Sequence, residues 1–462
     1  MDPNLPGRAN PLDRPPCVAH VPGTPPLPPL PFCIIIPVVN DYHSSIEWIY
    51  RKRWLSSLLA TAVKDHPVVV LTGARQVGKS TLLAYEGPFK DWHRVDLDDL
   101  DLLHQAERDP TSLWVGVDQV VIDEVQRAPG ILHGIKREVD RDRSRKRFLL
   151  SGSANLLLMQ RVSESLAGRA VYFVLLPMSL GEMKGRGHPS WFFDLFKGKA
   201  PSFSAPFPSE DPIKVMLRGF MPPLLFLEGL EAWIKWWEGY VATYIERDLR
   251  QLSQIDSLSN FRAVMEHLSL RTGQVLNQTE VARDSGVSQP TVHRYTTLLE
   301  VSHLLYRLPA FYRSRSKRLI KSPKVYWLDP ALPSFLMGLH EQEALFQARE
   351  VGALFENLVF LHLQALVQLL VPRPRLYYWR TVTGREVDFV IEWGRRLVAV
   401  EVKFTESPRY DDAATLRLFL EEYPETAFCL LIHRGTEVRF LHEKILALPW
   451  EALCEEPGND LP

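Results

Sequence analysis

The sequence predicts a multidomain α/β protein: an open parallel sheet carrying a phosphate-binding loop, a helical middle ending in a winged helix, and a second, smaller α/β domain. Three observations predict it. Residues 67–83, PVVVLTGARQVGKSTLL, pass from a β-branched apolar run through a glycine loop into a helical pattern. Residues 281–300, VARDSGVSQPTVHRYTTLLE, carry two amphipathic helical patterns joined at a glycine. Residues 376–404 hold three strand-like runs with charges alternating among apolar residues. With 462 residues the chain is too long for one ordinary core, and two to four domains are expected.

The bulk composition excludes several classes. Net charge is −1, so no global field draws the chain to nucleic acid or anionic lipid, and such binding needs a local patch. Cys17, Cys33, Cys429 and Cys454 form no C-x-x-C pair, which speaks for a reducing compartment without a disulfide framework. No apolar run approaches the roughly 18–20 residues of a membrane span, and a secretory signal is absent, so the expected location is cytoplasmic. Residues 1–44 are proline-laden (PPLPPLP at 25–31) and lack either hydrophobic period, so they are expected to be disordered or polyproline II.

Residues 45–184 form the first expected domain. An amphipathic helix over 45–64 leads into the strand 68–71. The loop Gly73, Ala74, Arg75, Gln76, Val77, Gly78, Lys79, Ser80 fits G-x-x-x-x-G-K-[ST] at every fixed position, and Thr81 continues into the helix. Glycines let backbone N–H groups face a polyphosphate, Lys79 reaches the β/γ-phosphates, and the Ser80 hydroxyl holds Mg²⁺. ATP with Mg²⁺ is the implied cofactor. Residues 92–100 read as a second strand ending in acids, of which Asp96, Asp98 and Asp99 are read as strand end and helix cap. Residues 119–124, QVVIDE, describe a buried strand whose acids emerge at the carboxyl edge of the sheet, where ligands of open α/β sheets sit. Asp123 is placed to hold the Mg²⁺ and Glu124 to polarise the attacking water. The strand FLLS at 148–151 is followed by Ser153 and Asn155, either a γ-phosphate sensor or an ordinary turn. Arg169 precedes a further strand and is either a charge-stabilising finger, in cis or toward a neighbouring subunit of a homo-oligomer, or a plain surface arginine.

Residues 185–211, rich in Pro, Ser and aromatics, read as a linker or insertion. A helical lid follows over 212–260, with a long helix at 232–254 whose Trp233, Trp236, Trp237, Tyr240, Val241, Tyr244 and Ile245 face a core. Residues 261–345 are expected to form the winged helix-turn-helix. Asn277 opens a helix, Gly286 ends it, and Ser288 caps the next with Pro290 in its first turn. Val292, Tyr295 and Leu299 face inward, leaving Gln289, Thr291, His293, Arg294 and Thr297 outward as in a major-groove reader. The strip Arg307, Arg313, Arg315, Lys317, Arg318, Lys321 and Lys324 suits a wing that contacts DNA phosphates. The alternative is a winged helix used only as a protein-packing lid.

Residues 346–462 form the last expected domain, in the order α-β-β-β-α-β. Asp388 lies on the second strand, and Glu401 and Lys403 share one face of the third. Two carboxylates beside a lysine make a metal site in which Asp388 and Glu401 hold Mg²⁺ and Lys403 steadies the attacking water or scissile phosphate, with Glu356 able to join them. A half-exposed strand shows the same alternation, so the pattern fits a nuclease-type fold whether or not the site cuts.

The pieces LTGARQVGKSTLL, VVIDEVQRAP, FLLSGSAN, LAGR, YIERDL, VYWLDPAL, GALFENLVF and GREVDFVI…VEVKF together resemble the prokaryotic AAA-type P-loop ATPases. The C-terminal half of those proteins is a domain of unknown function with winged-helix and PD-(D/E)XK nuclease-like parts. The resemblance implies an AAA-type core that binds ATP through residues 73–81, Mg²⁺ and water handling by Asp123 and Glu124, and a restriction-endonuclease-like C-terminal fold. Two functions are expected from these readings. One is a DNA-associated ATPase whose nucleotide state moves the winged helix and nuclease-like domain. The other is an ATP-dependent switch or scaffold for protein partners, with a non-catalytic nuclease fold.

Overall fold

A computed structural model describes residues 50–152, 166–203, 207, 209–248, 255, 257–314, 318 and 321–454. The expectations for residues 1–44, Ser153, Asn155, Arg315 and Lys317 lie outside the described residues.

The first domain is built on a five-stranded sheet in the order β2-β3-β4-β1-β5, in which every pairing is parallel. After helix α1 (Ser56–Asp65) come β1 (Val68–Thr72) and α2 (Lys79–Tyr85), then β2 (His93–Asp96) and α3 (Leu100–Arg108). They are followed by β3 (Gln119–Asp123), α4 (Ile131–Arg141), β4 (Arg147–Ser151) and β5 (Ala170–Val174). All five residues of β1 are buried, as expected for a central parallel strand covered on both faces. β4 stands between the strand of the phosphate loop and the strand of the acid pair. Asp99 caps α3 by accepting from the N–H groups of Asp101 and Leu102, so the capping role read from the acids of this stretch holds there.

Residues 185–211 differ from the expected linker. A one-turn helix, Trp191–Asp194, and the residues after it send Trp191, Phe192, Leu195, Phe196 and Phe207 into the same buried cluster as the C-terminal sheet. Phe196 meets Trp393 edge-on at 5.4 Å between ring centroids. Five large apolar side chains in one short stretch bury more surface than a solvated linker could leave exposed, and the segment packs instead. The helix expected over 232–254 changes type within its described part. Helix α7 (Leu230–Tyr240), which follows α5 (Leu180–Met183) and α6 (Pro212–Arg218), widens at its end into a π-helical stretch, Val241–Asp248.

The middle of the chain is helical, and two of its helices begin at the caps expected for them. Helix α8 (Leu258–Ser269) packs with α9 (Gln278–Ser285), capped by Asn277 and ended by Gly286 in the left-handed region, and with α10 (Gln289–Val301), capped by Ser288. The antiparallel hairpin of β6 (Leu305–Leu308) and β7 (Lys324–Trp327) follows α10. In the last domain, α11 (Val351–Val367), α12 (Ala414–Glu422) and a six-stranded sheet take the order β12-β13-β11-β10-β9-β8. Its strands are β8 (Arg375–Arg380), β9 (Glu386–Trp393), β10 (Arg396–Lys403), β11 (Thr426–His433), β12 (Arg439–His442) and β13 (Ile445–Pro449). The expected α-β-β-β-α-β order is present, extended by β12 and β13. Among the described residues no helix is long and apolar enough to cross a membrane.

One buried cation ties the start of the chain to the phosphate loop. The Arg53 guanidinium donates to the carbonyls of Val77 at 2.8 Å, Leu176 at 2.6 Å and Pro177 at 3.2 Å, and its Nε lies 3.2 Å from Glu182. Glu182 in turn accepts from the N–H groups of Trp54 and Ser179. Arg53→Ala leaves those carbonyls and a buried carboxylate without their cation. It is expected to lower the unfolding free energy by about 3–5 kcal/mol in denaturant titration, more than an exposed arginine would.

Candidate functional site

The carboxyl edge of the first sheet gathers Thr72, Asp96, Asp123 and Ser151 at the ends of four strands. The loop that leaves β1 is shaped by close approach. Gly73 has φ +147°, and a Cβ there would stand 2.3 Å from the Leu175 carbonyl oxygen where β5 leaves the sheet. Gly78 takes φ +90°, also a glycine conformation. Lys79 is buried, and its ammonium donates to the carbonyls of Ala74 at 2.9 Å and Gly73 at 3.2 Å, so the charge lies inside the loop it belongs to. Burial lowers its pKa to about 8, against the opposing pull of Glu124 and Asp123. Ser80 is half-buried, while Arg75, Gln76 and Thr81 face outward.

Asp123 is almost fully buried. One carboxylate oxygen accepts from the Ser151 hydroxyl and from the Glu124 N–H at 3.1 Å. The other accepts from Arg94 at 2.7 Å, and Arg94 also donates to the Ser80 carbonyl at 3.3 Å. Glu124 adopts φ 52°, a left-handed conformation unusual for its type, and accepts from the Gln126 side chain. Burial raises its pKa, partly offset by Lys79. The residues fit a magnesium–triphosphate group. A cationic side chain, a hydroxyl and a buried carboxylate converge on one loop, and the carboxylate is met by a cation even without that ligand.

Sequence reasoning missed the place of five residues here. Arg94 gives no signal beyond a basic residue on a strand, and Ser151 lies just before Ser153 and Asn155, the candidates read from the sequence. The other three come from the middle of the chain. Tyr240 donates to the Arg75 carbonyl at 3.4 Å, and the Arg75 guanidinium stands 5.9 Å from the centre of the Tyr244 ring. His303, in the turn between α10 and β6, has φ 57°, and its Nε2 is buried without a hydrogen-bond partner among the described residues. Burial first, then the nearby Lys79 ammonium, pushes its pKa down to about 4. Gln76, Glu124 and His303 are the three described non-glycine residues in the left-handed region, and backbone strain of this kind concentrates at functional sites.

Arg169 is not where a finger acting on its own chain must be. It precedes Ala170, which pairs with Val68 at the opposite end of β1 from the loop, and it forms a two-pronged pair with Asp140 at 2.5 and 2.9 Å. The in-cis reading is therefore corrected, because the length of the sheet separates the arginine from the phosphates.

In the C-terminal domain, Asp388 accepts from the Val402 N–H at 2.8 Å, and Glu401 receives Lys403 at 2.7 Å. Glu356 from α11 joins them, as does a residue not expected there: Lys324 of β7, whose ammonium meets Glu356 at 2.9 Å, Asp388 at 3.4 Å and Glu386. Burial and then Asp388 raise the pKa of Glu401 well above the ordinary carboxylate range. For Glu356 the same two causes bring it to about 7.

Several described cations of the expected basic strip are held by partners within the chain. Arg307 pairs with Glu300, and Arg318 makes a two-pronged pair with Glu392 at 2.7 and 3.1 Å while lying over the Phe311 and Tyr377 rings. Arg313 lies near Glu425, and Lys324 is buried. Local carboxylates and rings claim these cations, so they do not form a continuous solvent-facing stripe. Lys321 is exposed. On α10, Gln289, His293 and Arg294 face solvent, whereas Thr291 and Thr297 are half-buried.

Residues 65–184 match the AAA domain family, 209–343 a domain of unknown function (DUF8612), and 351–453 a second domain of unknown function (DUF4143). Over 415 residues the chain is 31% identical to the uncharacterized protein Rv2008c of Mycobacterium tuberculosis, covering 89% of this chain and 86% of that one. The same figures hold for the uncharacterized protein Mb2031c of Mycobacterium bovis. Among solved structures, the RuvB Holliday junction branch migration motor of Thermotoga maritima is similar at 18% identity and a TM-score of 0.25, over 55% of this chain and 87% of that one. The DNA clamp loader delta protein of Bacillus subtilis is similar at 12% identity and 0.24, over 68% and 99%. Likenesses at those scores carry no functional argument.

Arg94 and magnesium compete for the same carboxylate. Arg94→Gln is expected to lower the magnesium concentration needed for half-maximal binding of a fluorescent ATP analogue by about tenfold, the equivalent of one charged hydrogen bond. An unchanged requirement removes Arg94 from the site.

Proposed function

The chain belongs to the family of the mycobacterial proteins Rv2008c and Mb2031c, and we propose that it is an ATP-hydrolysing protein associated with DNA. In this reading its nucleotide state is passed to the winged helix and the nuclease-like domain. The observation that carries the proposal is the convergence on one loop of Lys79, Ser80, Asp123 and Glu124 with residues of the middle domain.

Ser80 and Asp123 would hold magnesium, which when bound would supply positive charge against the phosphates. The chain supplies the rest. Backbone N–H groups of residues 73–80 hold the phosphates, and Lys79 leaves its two carbonyls to pair with the β/γ oxygens. Asp123, paired here with Arg94, would turn that carboxylate oxygen to the metal. Glu124 orients the attacking water in line with the γ-phosphorus, and its partly desolvated carboxylate suits it to accept that proton. Arg169 acts only on a nucleotide held by a second copy. Movement of Lys79 changes the charge facing His303, and movement of the loop shifts Arg75 against Tyr240 and Tyr244. Both effects enter the middle domain, whose exposed Gln289, His293 and Arg294 are the proposed DNA contacts.

A second reading, a nucleotide-dependent switch for protein partners, is favoured by the internal pairing of Arg307, Arg318 and Lys324. ATP turnover with and without duplex DNA separates the two. Lys79→Ala is expected to abolish nucleotide binding, and Glu124→Gln to keep binding while lowering turnover at least about a hundredfold. DNA stimulation of the wild type supports the first reading. Turnover indifferent to DNA, with no duplex binding in a mobility shift, supports the second.

A further inference from the structure

The C-terminal centre has the residues of a metal nuclease, but its cation is part of the chain. We propose that Lys324 is the resident cation of this centre, neutralising Glu356, Asp388 and Glu386 where a divalent metal would otherwise sit and fastening the wing to the C-terminal domain.

The geometry is specific. The Lys324 side chain is 1% exposed, and its ammonium is surrounded by three carboxylates from two elements, α11 and β9. Lys324 and Tyr326 alternate on β7 and so face the same way, and both reach Glu356, the tyrosine by donating its hydroxyl. Tyr326 also stacks on Phe360 of α11 at 4.4 Å between centroids. Between them Val325 turns the other way, and its carbonyl accepts from Gly273 N–H at 2.8 Å. Next along the strand, Asn357 of α11 accepts from the Trp327 N–H and donates to its carbonyl. β7 is therefore held along its length by α11, and the lysine is aimed by that register.

A divalent ion between Asp388 and Glu401 would lie beside an ammonium that cannot reach water, and like charges at that separation in a dry site repel strongly. Lys403 already takes one oxygen of Glu401, and one oxygen of Asp388 accepts from a backbone N–H. The other Glu401 oxygen is without a partner among the described residues, but a single oxygen is no metal shell. Among the described residues no three His, Cys, Asp or Glu side chains converge to hold a metal. The residues as arranged do not fit the metal that a nuclease of this fold requires.

The test uses nucleotide-free full-length protein and Mn²⁺, with bound metal read from the loss of the free-ion paramagnetic resonance signal. Wild type and Asp388→Asn are expected to bind the same amount of Mn²⁺, because no site depends on that carboxylate. Removal of an Mn²⁺ site by Asp388→Asn overturns the proposal. Lys324→Met is expected to lower the thermal unfolding midpoint and to gain a site, so that Mn²⁺ raises its midpoint by several degrees while leaving wild type unmoved. Lys324→Met combined with Asp388→Asn loses that rescue. A Lys324→Met midpoint equal to wild type also overturns the proposal. If that variant fails to fold, the comparison of wild type with Asp388→Asn decides alone.

Discussion

A guanidinium buried behind the phosphate loop constrains everything built on it. Arg53 bonds the Val77 carbonyl on the loop's inner side and the Leu176 and Pro177 carbonyls just beyond β5, while Glu182 balances its charge. The loop is thus clamped between the chain before α1 and the chain after β5. Gly73 approaches Leu175 too closely for any side chain, because the paired strands β1 and β5 end side by side there. A loop held from behind can present its N–H groups to a ligand with little reorganisation, which is the energetic condition for binding and for transition-state stabilisation.

The same principle recurs in the rest of the molecule. A buried or half-buried cation is tolerated only with a carboxylate or carbonyl partner, and several of them join two elements. Arg94 joins β2 to β3 through Asp123, Arg318 joins the stretch between β6 and β7 to β9 through Glu392, and Lys324 joins β7 to α11 and β9. Apolar packing follows these ties. One cluster runs from the phosphate loop through α7 into α8 and α10, and another runs from residues 191–220 into the C-terminal sheet. The middle of the chain therefore touches both the nucleotide loop and the acidic centre, through His303 and Tyr244 at one end and Lys324 at the other.

Much of the candidate site was legible because its signals are local. Lys79 and Ser80 follow Gly78 directly, Asp123 and Glu124 end one strand, and the caps Asn277, Gly286 and Ser288 mark helix ends within a few residues. The linker reading of residues 185–211 erred because their Pro and Ser content masks aromatics whose partners lie far off in the C-terminal sheet. In residues 307–324 the pairing of Arg307, Arg318 and Lys324 was hidden for a related reason. A row of cations looks free until the carboxylates folded against it are known.

What the sequence determined alone is the set of short motifs: the loop and its helix, the strand ending in acids, the helix-turn-helix, and the hairpin bearing Asp388, Glu401 and Lys403. Each is fixed by backbone geometry and hydrophobic period over fewer than about twenty residues, which a linear pattern expresses fully. What only the tertiary structure decided is the partner of each charge. Asp388 and Lys324 are 64 residues apart, and nothing in either neighbourhood names the other. Their pairing exists because β7 crosses α11 at one register, and electrostatic partnership depends on distance in space.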